Sequence, residues 1–223
     1  MSTLIVINPN SSQTVTAGIA EAVAPLKRFG VPIRCETLAA GPLAIESQAE
    51  AERVVPPLLD FALAFEDEAA GFVIACFGDP GVHALRDSTT LPVLGIQEAA
   101  VANALTFGQR FGVISILPAS IPRHMRSFAA MGVMDRLAGD RALGRGVAEL
   151  SDEDATVAAL VETGTALRDR DGAEVLILGC AGMAGYRAEV EAATGLPVVE
   201  PCQAAAAMAL GRIALGQSHR PTG

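Results

Sequence analysis

The sequence lacks tryptophan and has one tyrosine, and aromatic residues make up only 4% of its 223 residues. It is also poor in basic residues, with 16 Lys and Arg against 25 Asp and Glu, which gives a formal net charge of −9. A surplus of negative charge repels phosphate groups, so nucleic acid and anionic membranes are not expected as partners. A small-molecule ligand remains compatible with this composition, because a local site need not follow the global charge.

Long apolar runs are absent as well. The first run, Leu4 to Ile7, has no basic flank and is shorter than the core of a signal peptide, which has about 7–15 residues. No run approaches the ~18 apolar residues of a membrane span. We therefore expect a cytoplasmic protein without a membrane partner.

Patterns of metal ligands are also missing. The four cysteines include no Cys-x-x-Cys pair, and His83, His124 and His219 have no spacing typical of a ligand pair. No metal site is predicted. In a reducing cytosol the cysteines are expected as free thiols, catalytic groups or ligands rather than as disulfides.

The residues that are present predict an α/β fold. Apolar residues make up 51% of the chain, which also has 22 glycines, and runs of strand length alternate with helical patterns. Pro56 and Pro57 interrupt the longest helical pattern, because proline removes a backbone hydrogen bond and kinks a helix. The predicted strands are 2–7, 31–37, 71–77, 93–96, 111–116, a weak one near 141, 174–179 and 197–200. The predicted helices are 11–28, 47–68, 81–87, 98–107, 121–131, 151–170, 186–193 and 203–215.

One block of sequence occurs twice. Phe72-Val-Ile-Ala-Cys-Phe-Gly78 and Val175-Leu-Ile-Leu-Gly-Cys-Ala-Gly182 are near copies, and each is followed by a helical segment and Leu-Pro-Val. Such long-period similarity predicts two related halves rather than a solenoid. We expect two pseudosymmetric, Rossmann-like α/β/α half-domains with parallel sheets, at 1–108 and 109–216, and a disordered tail at 217–223. The last helix is free to pack back on the N-terminal half.

Four loops follow strands and contain polar or reactive residues: 8–12, 76–80, 115–120 and 180–185. Ligands of such folds lie outside the carboxyl ends of the strands. The two halves are therefore predicted to present these loops to one interdomain cleft, with Ser115 among the candidate substrate contacts. Asp79 and Pro80 also predict the start of the helix at 81–87, with Asp79 as its N-cap.

Two thiols that face each other across a cleft suit the inversion of a carbon stereocentre. A base removes a proton from one face of the carbon while an acid delivers one to the other face. Cys76 and Cys180 each precede a helix, whose N-terminus can lower a thiol pKa. The neighbouring glycine amides can hold an enolate oxygen.

Three motifs together resemble the aspartate/glutamate/hydantoin racemase superfamily, and specifically its hydantoin racemase branch, with allantoin racemases close by. They are Asn8-Pro-Asn-Ser-Ser12, Ala75-Cys-Phe-Gly-Asp-Pro-Gly81 and Leu178-Gly-Cys-Ala-Gly-Met183. The resemblance spans nearly the whole chain and implies a cofactor-independent enzyme in which Cys76 and Cys180 act as acid and base. It also implies a set of substrate contacts: Asn8, Ser11, Phe77, Gly78, Asp79, Ala181 and Gly182.

The residues after Cys76 narrow the expected substrate. Racemases of free aspartate or glutamate in this superfamily typically have Thr and Asn there, whereas this chain has Phe77 and Gly78. A neutral ring, a 5-monosubstituted hydantoin or the related allantoin, fits better than a zwitterionic amino acid. The rival hypotheses are a lyase similar to arylmalonate decarboxylase, with Cys180 as proton donor, and a binding module without catalysis. The apolar composition favours a homo-oligomer.

Several other residues have two interpretations. Cys35 and Cys202 are expected as small core residues, and His83 as a surface or packing residue. Arg123 and His124, at the start of a predicted helix facing the cleft, either recognise a carboxylate or ureido group or are solvated. Tyr186 either donates a hydrogen bond to substrate or packs its helix.

Overall fold

The structure of the protein is a computed structural model that describes residues 2–219. Within these residues, eight strands form two parallel sheets. The strands are β1 Thr3–Asn8, β2 Ile33–Thr37, β3 Ala69–Ile74, β4 Val93–Gly95, β5 Phe111–Ser115, β6 Leu137–Ala142, β7 Val175–Leu178 and β8 Val198–Val199. Every predicted strand is present, including the weak one near Arg141, which belongs to β6.

The α-helices follow the predicted order. They are α1 Gln13–Val23, α2 Gln48–Arg53, α3 Val55–Leu63, α4 Val82–Ser88, α5 Ile96–Ala104, α6 Ile121–Ala130, α7 Glu153–Asp169, α8 Arg187–Thr194 and α9 Pro201–Ala214. The interruption expected at Pro56 and Pro57 occurs, since α2 and α3 are separate and α3 has proline in its first turn. The helix predicted at 11–28 is shorter, because Pro25 lies in a separate 3₁₀ helix, Ala24–Phe29.

The two sheets have the same topology. Their strand orders are β2-β1-β3-β4 and β6-β5-β7-β8. Val93 of β4 pairs with Phe72, and Val198 of β8 pairs with Leu176. Residues at equivalent positions of the two repeated blocks thus form equivalent pairs in the two sheets. The predicted pseudosymmetry is confirmed.

Side chains of successive residues in each strand point to opposite faces of the sheet. Leu4 and Val6 contact a central apolar layer, whereas Ile5 and Ile7 contact an outer one. The central layer is shared by both sheets and contains α1, α5, α6 and α9. The outer layers contain α2, α3 and α4 on the first sheet and α7 and α8 on the second.

The helix that ends each half crosses to the other half. Helix α9 packs on β3 and β4 of the first sheet, and α5 contacts β7 and β8 of the second. Gln203 Nε2 of α9 donates to the carbonyl of Ala22 at 2.8 Å. The boundary proposed at residues 108 and 109 stays a prediction, because this crossing joins the two halves in one shared core.

Residues 217–219, the first part of the predicted tail, lie within the described residues, and the predicted disorder stays a prediction. His219 Nε2 lies 3.2 Å from the Val93 carbonyl and 3.2 Å from an Arg212 nitrogen. The remainder of the predicted tail, residues 220–223, lies outside the described residues. No helix within residues 2–219 is long and apolar enough to cross a membrane.

Candidate active site

A cavity lies between the carboxyl ends of the two sheets, and each of the four predicted loops contributes to its wall. Asn10 comes from the loop after β1, Cys76 from the loop after β3, Ser120 from the loop after β5 and Cys180 from the loop after β7. The cavity has a volume of about 30 Å³. The convergence predicted from the strand ends is therefore what the structure has.

The cavity opens into a larger cleft of about 1120 Å³ between the halves. The cavity and the cleft share Val15 of α1, Val147, Ala181 and Gly182. A hydrogen bond from the Val147 amide to Glu46 Oε1, 3.0 Å long, joins the two sides of the cleft.

The two thiols in the cavity are held differently. Cys76 and Cys180 are both free and partly exposed. The amide of Gly182 donates to Cys180 Sγ at 3.3 Å, whereas Cys76 Sγ lies 3.9 Å from the Phe77 carbonyl. The Gly182 amide, one of the neighbouring glycine amides expected to hold an enolate oxygen, thus already has the sulfur as its acceptor.

Neither thiol has a lowered pKa, so that expectation is wrong. Desolvation raises the pKa of Cys76 to about 12 and that of Cys180 to about 11. The charge of Arg123 partly opposes the rise in the pKa of Cys76, and the Gly182 amide does the same for Cys180. Both sulfurs are therefore protonated at neutral pH, and forming a thiolate costs free energy.

Alkylation by iodoacetamide tests this conclusion. Because only the thiolate reacts, and because each pKa lies above the assay range, the rate at Cys76 and at Cys180 is expected to rise about tenfold per pH unit from about pH 7 to 9. Peptide mass spectrometry gives the rate at each cysteine, with urea-denatured protein as control, in which the rate levels off above the free-thiol pKa of about 8.5. A plateau below pH 8 in the folded protein would contradict the raised values.

Asn8 and Ser11 do not line the cavity. Asn8 is fully buried, and its Nδ2 donates to Asn10 Oδ1 at 2.8 Å and to the Ser12 carbonyl at 3.1 Å. The Ser11 amide donates to the Pro42 carbonyl at 2.9 Å. Asn8 thus stabilises its own loop through hydrogen bonds. Asn10 of the same motif lines the cavity, although it was not among the predicted substrate contacts.

Ser115 is likewise directed away from the cavity. Its buried hydroxyl donates to Asp140 and lies 3.1 Å from His124 Nδ1, and that nitrogen lies 2.8 Å from Asp140 Oδ2. The Ser115 hydroxyl and the Asp140 carboxylate thus both contact Nδ1 of His124. A serine nucleophile needs its base nitrogen and the orienting carboxylate on opposite sides of the imidazole, so this cluster is a structural anchor for α6.

Asp79 caps a helix, but not the predicted one. Helix α4 has Gly81 as its N-cap, whereas the Asp79 carboxylate accepts from the amides of Gln97 and Glu98, both at 2.8 Å, at the start of α5. Asp79 itself has a left-handed backbone, with φ of 51°. Desolvation raises the pKa of this carboxyl to about 7. Asp79 therefore ties the Cys76 loop to α5.

The second half makes the equivalent cap without such a tie. Glu200 directly follows β8, at the position equivalent to Gly95 at the end of β4, and accepts from the amides of Cys202 and Gln203 at 2.9 and 2.6 Å. A Cβ on Gly95 would lie 2.1 Å from Asp79 Cγ. The glycine thus leaves room for the carboxylate of Asp79.

The remaining candidates divide between the cavity and the scaffold. Phe77, Ala181, Gly182 and Arg123 line the cavity, and Gly78 lies against the Arg123 side chain. His83 is exposed on α4, as expected. The Tyr186 hydroxyl donates to the Leu150 carbonyl at 2.7 Å, which assigns it to packing. Cys202 is buried in the central layer and Cys35 packs against it, as predicted.

Sequence reasoning missed the part of the wall that comes from loops without a motif. Val147 begins a 3₁₀ helix, Val147–Ser151, just before the helix predicted from residue 151. Ile45 lies in the loop before α2. Both are apolar side chains with no chemical signature. Among residues 2–219, no group of three or more His, Cys, Asp or Glu side chains is arranged to hold a metal ion.

Comparisons with known proteins agree with this fold. A family model described as Asp/Glu/Hydantoin racemase matches residues 4–209. Hydantoin racemase of Paenarthrobacter aurescens is 34% identical over 217 residues, which cover 96% of this chain and 92% of that protein.

Two solved structures are similar over almost their whole length. Allantoin racemase from Pseudomonas fluorescens has a TM-score of 0.94 and 30% identity, with 98% of this chain and 93% of that chain covered. Allantoin racemase from Klebsiella pneumoniae has a TM-score of 0.92 and 29% identity, with 100% and 92% covered.

Fold and comparisons together define the class of the protein, which is an isomerase of the racemase type. The chain belongs to the Asp/Glu/hydantoin racemase family.

Proposed function

We propose that the protein racemises 5-monosubstituted hydantoins by moving the C5 hydrogen between Cys76 and Cys180. The observation that carries this proposal is the presence of two partly exposed thiols in the wall of one cavity, one from each pseudosymmetric half. Equivalent strand ends that approach from opposite halves suit attack on opposite faces of a flat ring. The thiols are also close enough that ionisation of Cys180 raises the pKa of Cys76.

The proposed reaction consists of two proton transfers. The thiolate of one cysteine takes the proton from C5, and the electron pair of the C–H bond moves into the adjacent C4 carbonyl to give an enolate. The thiol of the other cysteine then delivers its proton to the opposite face of C5 and is left as the thiolate. The two sulfurs have exchanged protonation states, so the next turnover proceeds from the opposite enantiomer.

The cavity wall favours a neutral ring over a free amino acid. A zwitterion needs an anionic partner for its ammonium group and a cationic one for its carboxylate, whereas no carboxylate side chain lies among the cavity-lining residues that the structure describes. Arg123 is the charged side chain among them. The other lining residues are mostly apolar: Val15, Ile45, Ala75, Phe77, Ile116, Val147 and Ala181.

Allantoin is the principal alternative substrate, because it is itself a hydantoin with a ureido group on C5. Both a hydantoin racemase and allantoin racemases are similar to this chain over nearly its whole length. A lyase that uses Cys180 alone as proton donor is less well supported, since Cys76 shares the cavity with it.

Single enantiomers of several 5-monosubstituted hydantoins and of allantoin test the proposal, with optical rotation followed in the presence of a chelator and without added cofactor. Loss of rotation without change in composition is expected, with the larger kcat/KM for a hydantoin that has an alkyl substituent than for allantoin. Release of carbon dioxide from an arylmalonate would support the lyase instead. Binding of these compounds with unchanged rotation would support a binding module and contradict the proposal.

A further inference from the structure

Arg123 is a cationic side chain in the cavity wall that has no hydrogen-bond acceptor within residues 2–219. The pKa of Glu50 on α2 is lowered mainly by the Glu46 amide and also by the charge of Arg123, without a hydrogen bond between the two side chains. Arg123 is the third residue of α6, and it lines the cavity together with both cysteines. Its Nη1 is buried and has no hydrogen-bond partner. Within residues 2–219, Arg123 forms no hydrogen bond or ion pair. A buried donor without an acceptor is unfavourable, and more so when it is charged, which indicates that the acceptor is supplied by a ligand.

The position of Arg123 is fixed by its neighbours. His124, the next residue, is buried and hydrogen-bonded to Asp140, and its ring contacts Phe77 edge to face with 4.9 Å between centroids. A Cβ on Gly78 would lie 3.3 Å from Arg123 Nε. The anchor at His124 thus holds the start of α6 against the Cys76 loop.

The charge of Arg123 acts on both sulfurs. Desolvation raises the pKa of both thiols, and the charge of Arg123 partly opposes this rise at Cys76 and at Cys180. Arg123 is thus close to the thiols from both halves. A cationic hydrogen-bond donor that lies close to both proton-transfer groups is suited to bind the oxygen that both half-reactions share.

On the basis of the proposed function, we propose that Arg123 donates a hydrogen bond to the C4 carbonyl oxygen of the hydantoin ring and stabilises the enolate formed on either side of the reaction. This oxygen gains negative charge whichever cysteine removes the C5 proton. The Gly182 amide, one of the glycine amides next to the two cysteines, already donates to Cys180 Sγ. Arg123 is the substrate-contacting group that selects a ring with a carbonyl next to the reacting carbon.

Unsubstituted hydantoin is the probe, because its two C5 hydrogens exchange without any change of configuration. In deuterated water, NMR follows this exchange for the wild type, Arg123→Gln, Arg123→Lys and Arg126→Gln. Arg126 lies on the same helix, is exposed and bonds Gln48. Loss of an oxyanion donor costs about 10²–10³-fold in rate, so we expect a loss of that size in kcat/KM for Arg123→Gln, a smaller loss for Arg123→Lys and none for Arg126→Gln.

Binding of 2-imidazolidinone, which has the ring but lacks the C4 oxygen, separates recognition from a structural role. The wild type is expected to bind hydantoin more tightly than this compound, and Arg123→Gln is expected to bind the two equally. A purely structural role would weaken binding of both compounds alike.

Two results would overturn the inference in distinguishable ways. If Arg123→Gln exchanged hydantoin within about threefold of the wild type, the role of Arg123 would fall while the proposed function stood. If the wild type neither bound nor exchanged hydantoin, both proposals would fall. If Arg123→Gln did not fold, the same two comparisons with Arg123→Lys would decide the matter.

Discussion

Cys76→Ser and Cys180→Ser are each expected to lower racemisation by about 10³-fold or more, because each removes one of two acid/base groups worth 10²–10⁴-fold apiece. A serine hydroxyl fills nearly the same space but does not ionise in the assay range. Polarimetry or chiral chromatography, started from each enantiomer separately, measures the loss. Each variant is also expected to keep slow deuterium exchange with retention of configuration for one enantiomer, since the remaining thiol still faces one side of C5.

The pattern of retained exchange is the sharper readout. Cys76→Ser and Cys180→Ser should exchange opposite enantiomers, and this would reveal which thiol attacks which one. Cys35→Ser is the matched control, because Cys35 lies in β2 at the edge of the first sheet, away from the cavity, and should leave racemisation unchanged. Full racemase activity in either active-site variant would rule out the two-thiol mechanism.

Gly95→Ala is expected to destabilise the protein by about 3–5 kcal/mol, a large effect for one methyl group. The added Cβ would lie 2.1 Å from Asp79 Cγ, so the carboxylate must leave the amides of Gln97 and Glu98. Two charge-assisted hydrogen bonds are then lost at the start of α5, each worth about 1.5–3 kcal/mol. Activity should fall as well, because Asp79 holds the Cys76 loop. Urea unfolding measures the stability.

Two further variants separate the loss of the Asp79 cap from the effect of adding a methyl group to a glycine. Gly211→Ala, on the exposed side of α9 with no atom within 4 Å of the new Cβ, should stabilise the protein by up to about 1 kcal/mol. The double variant Asp79→Gly with Gly95→Asp supplies the cap from the end of β4, as Glu200 supplies it directly after β8. It should recover much of the stability without the activity, since the tie to the Cys76 loop is gone. Unchanged stability of Gly95→Ala would contradict this account of Asp79.

The duplication explains why the fold was predictable from the sequence. The repeated blocks around Cys76 and Cys180 place two equivalent strands in equivalent sheets, and loops at their carboxyl ends must then approach the same edge. The break near Pro56 was predictable for an equally local reason, because proline acts on its own helix whatever surrounds it.

The site was predictable only to the level of loops. Asn8, Ser115 and Asp79 lie on the expected loops or strand ends, but their polar atoms bond to the scaffold, because a side chain at a strand end can face the cavity, its own loop or a neighbouring helix. Sequence spacing does not distinguish these directions. The raised pKa values of the thiols result from desolvation in a cavity that both halves build, and the lack of a hydrogen-bond acceptor for Arg123 Nη1 depends on the same packing. No local sequence pattern indicates either property.

The central claim is that two thiols on opposite faces of one ring carry out the racemisation, and isotopic labelling of the wild type tests it most directly. One enantiomer of a 5-monosubstituted hydantoin is incubated in deuterated water, and both enantiomers are analysed by NMR and chiral chromatography during the first tenth or so of the reaction. The two-thiol mechanism predicts that the product enantiomer carries deuterium at C5 while the remaining substrate keeps its hydrogen. Deuterium appearing equally in both enantiomers, or hydrogen transferred from substrate to product, would indicate a single base and contradict the account.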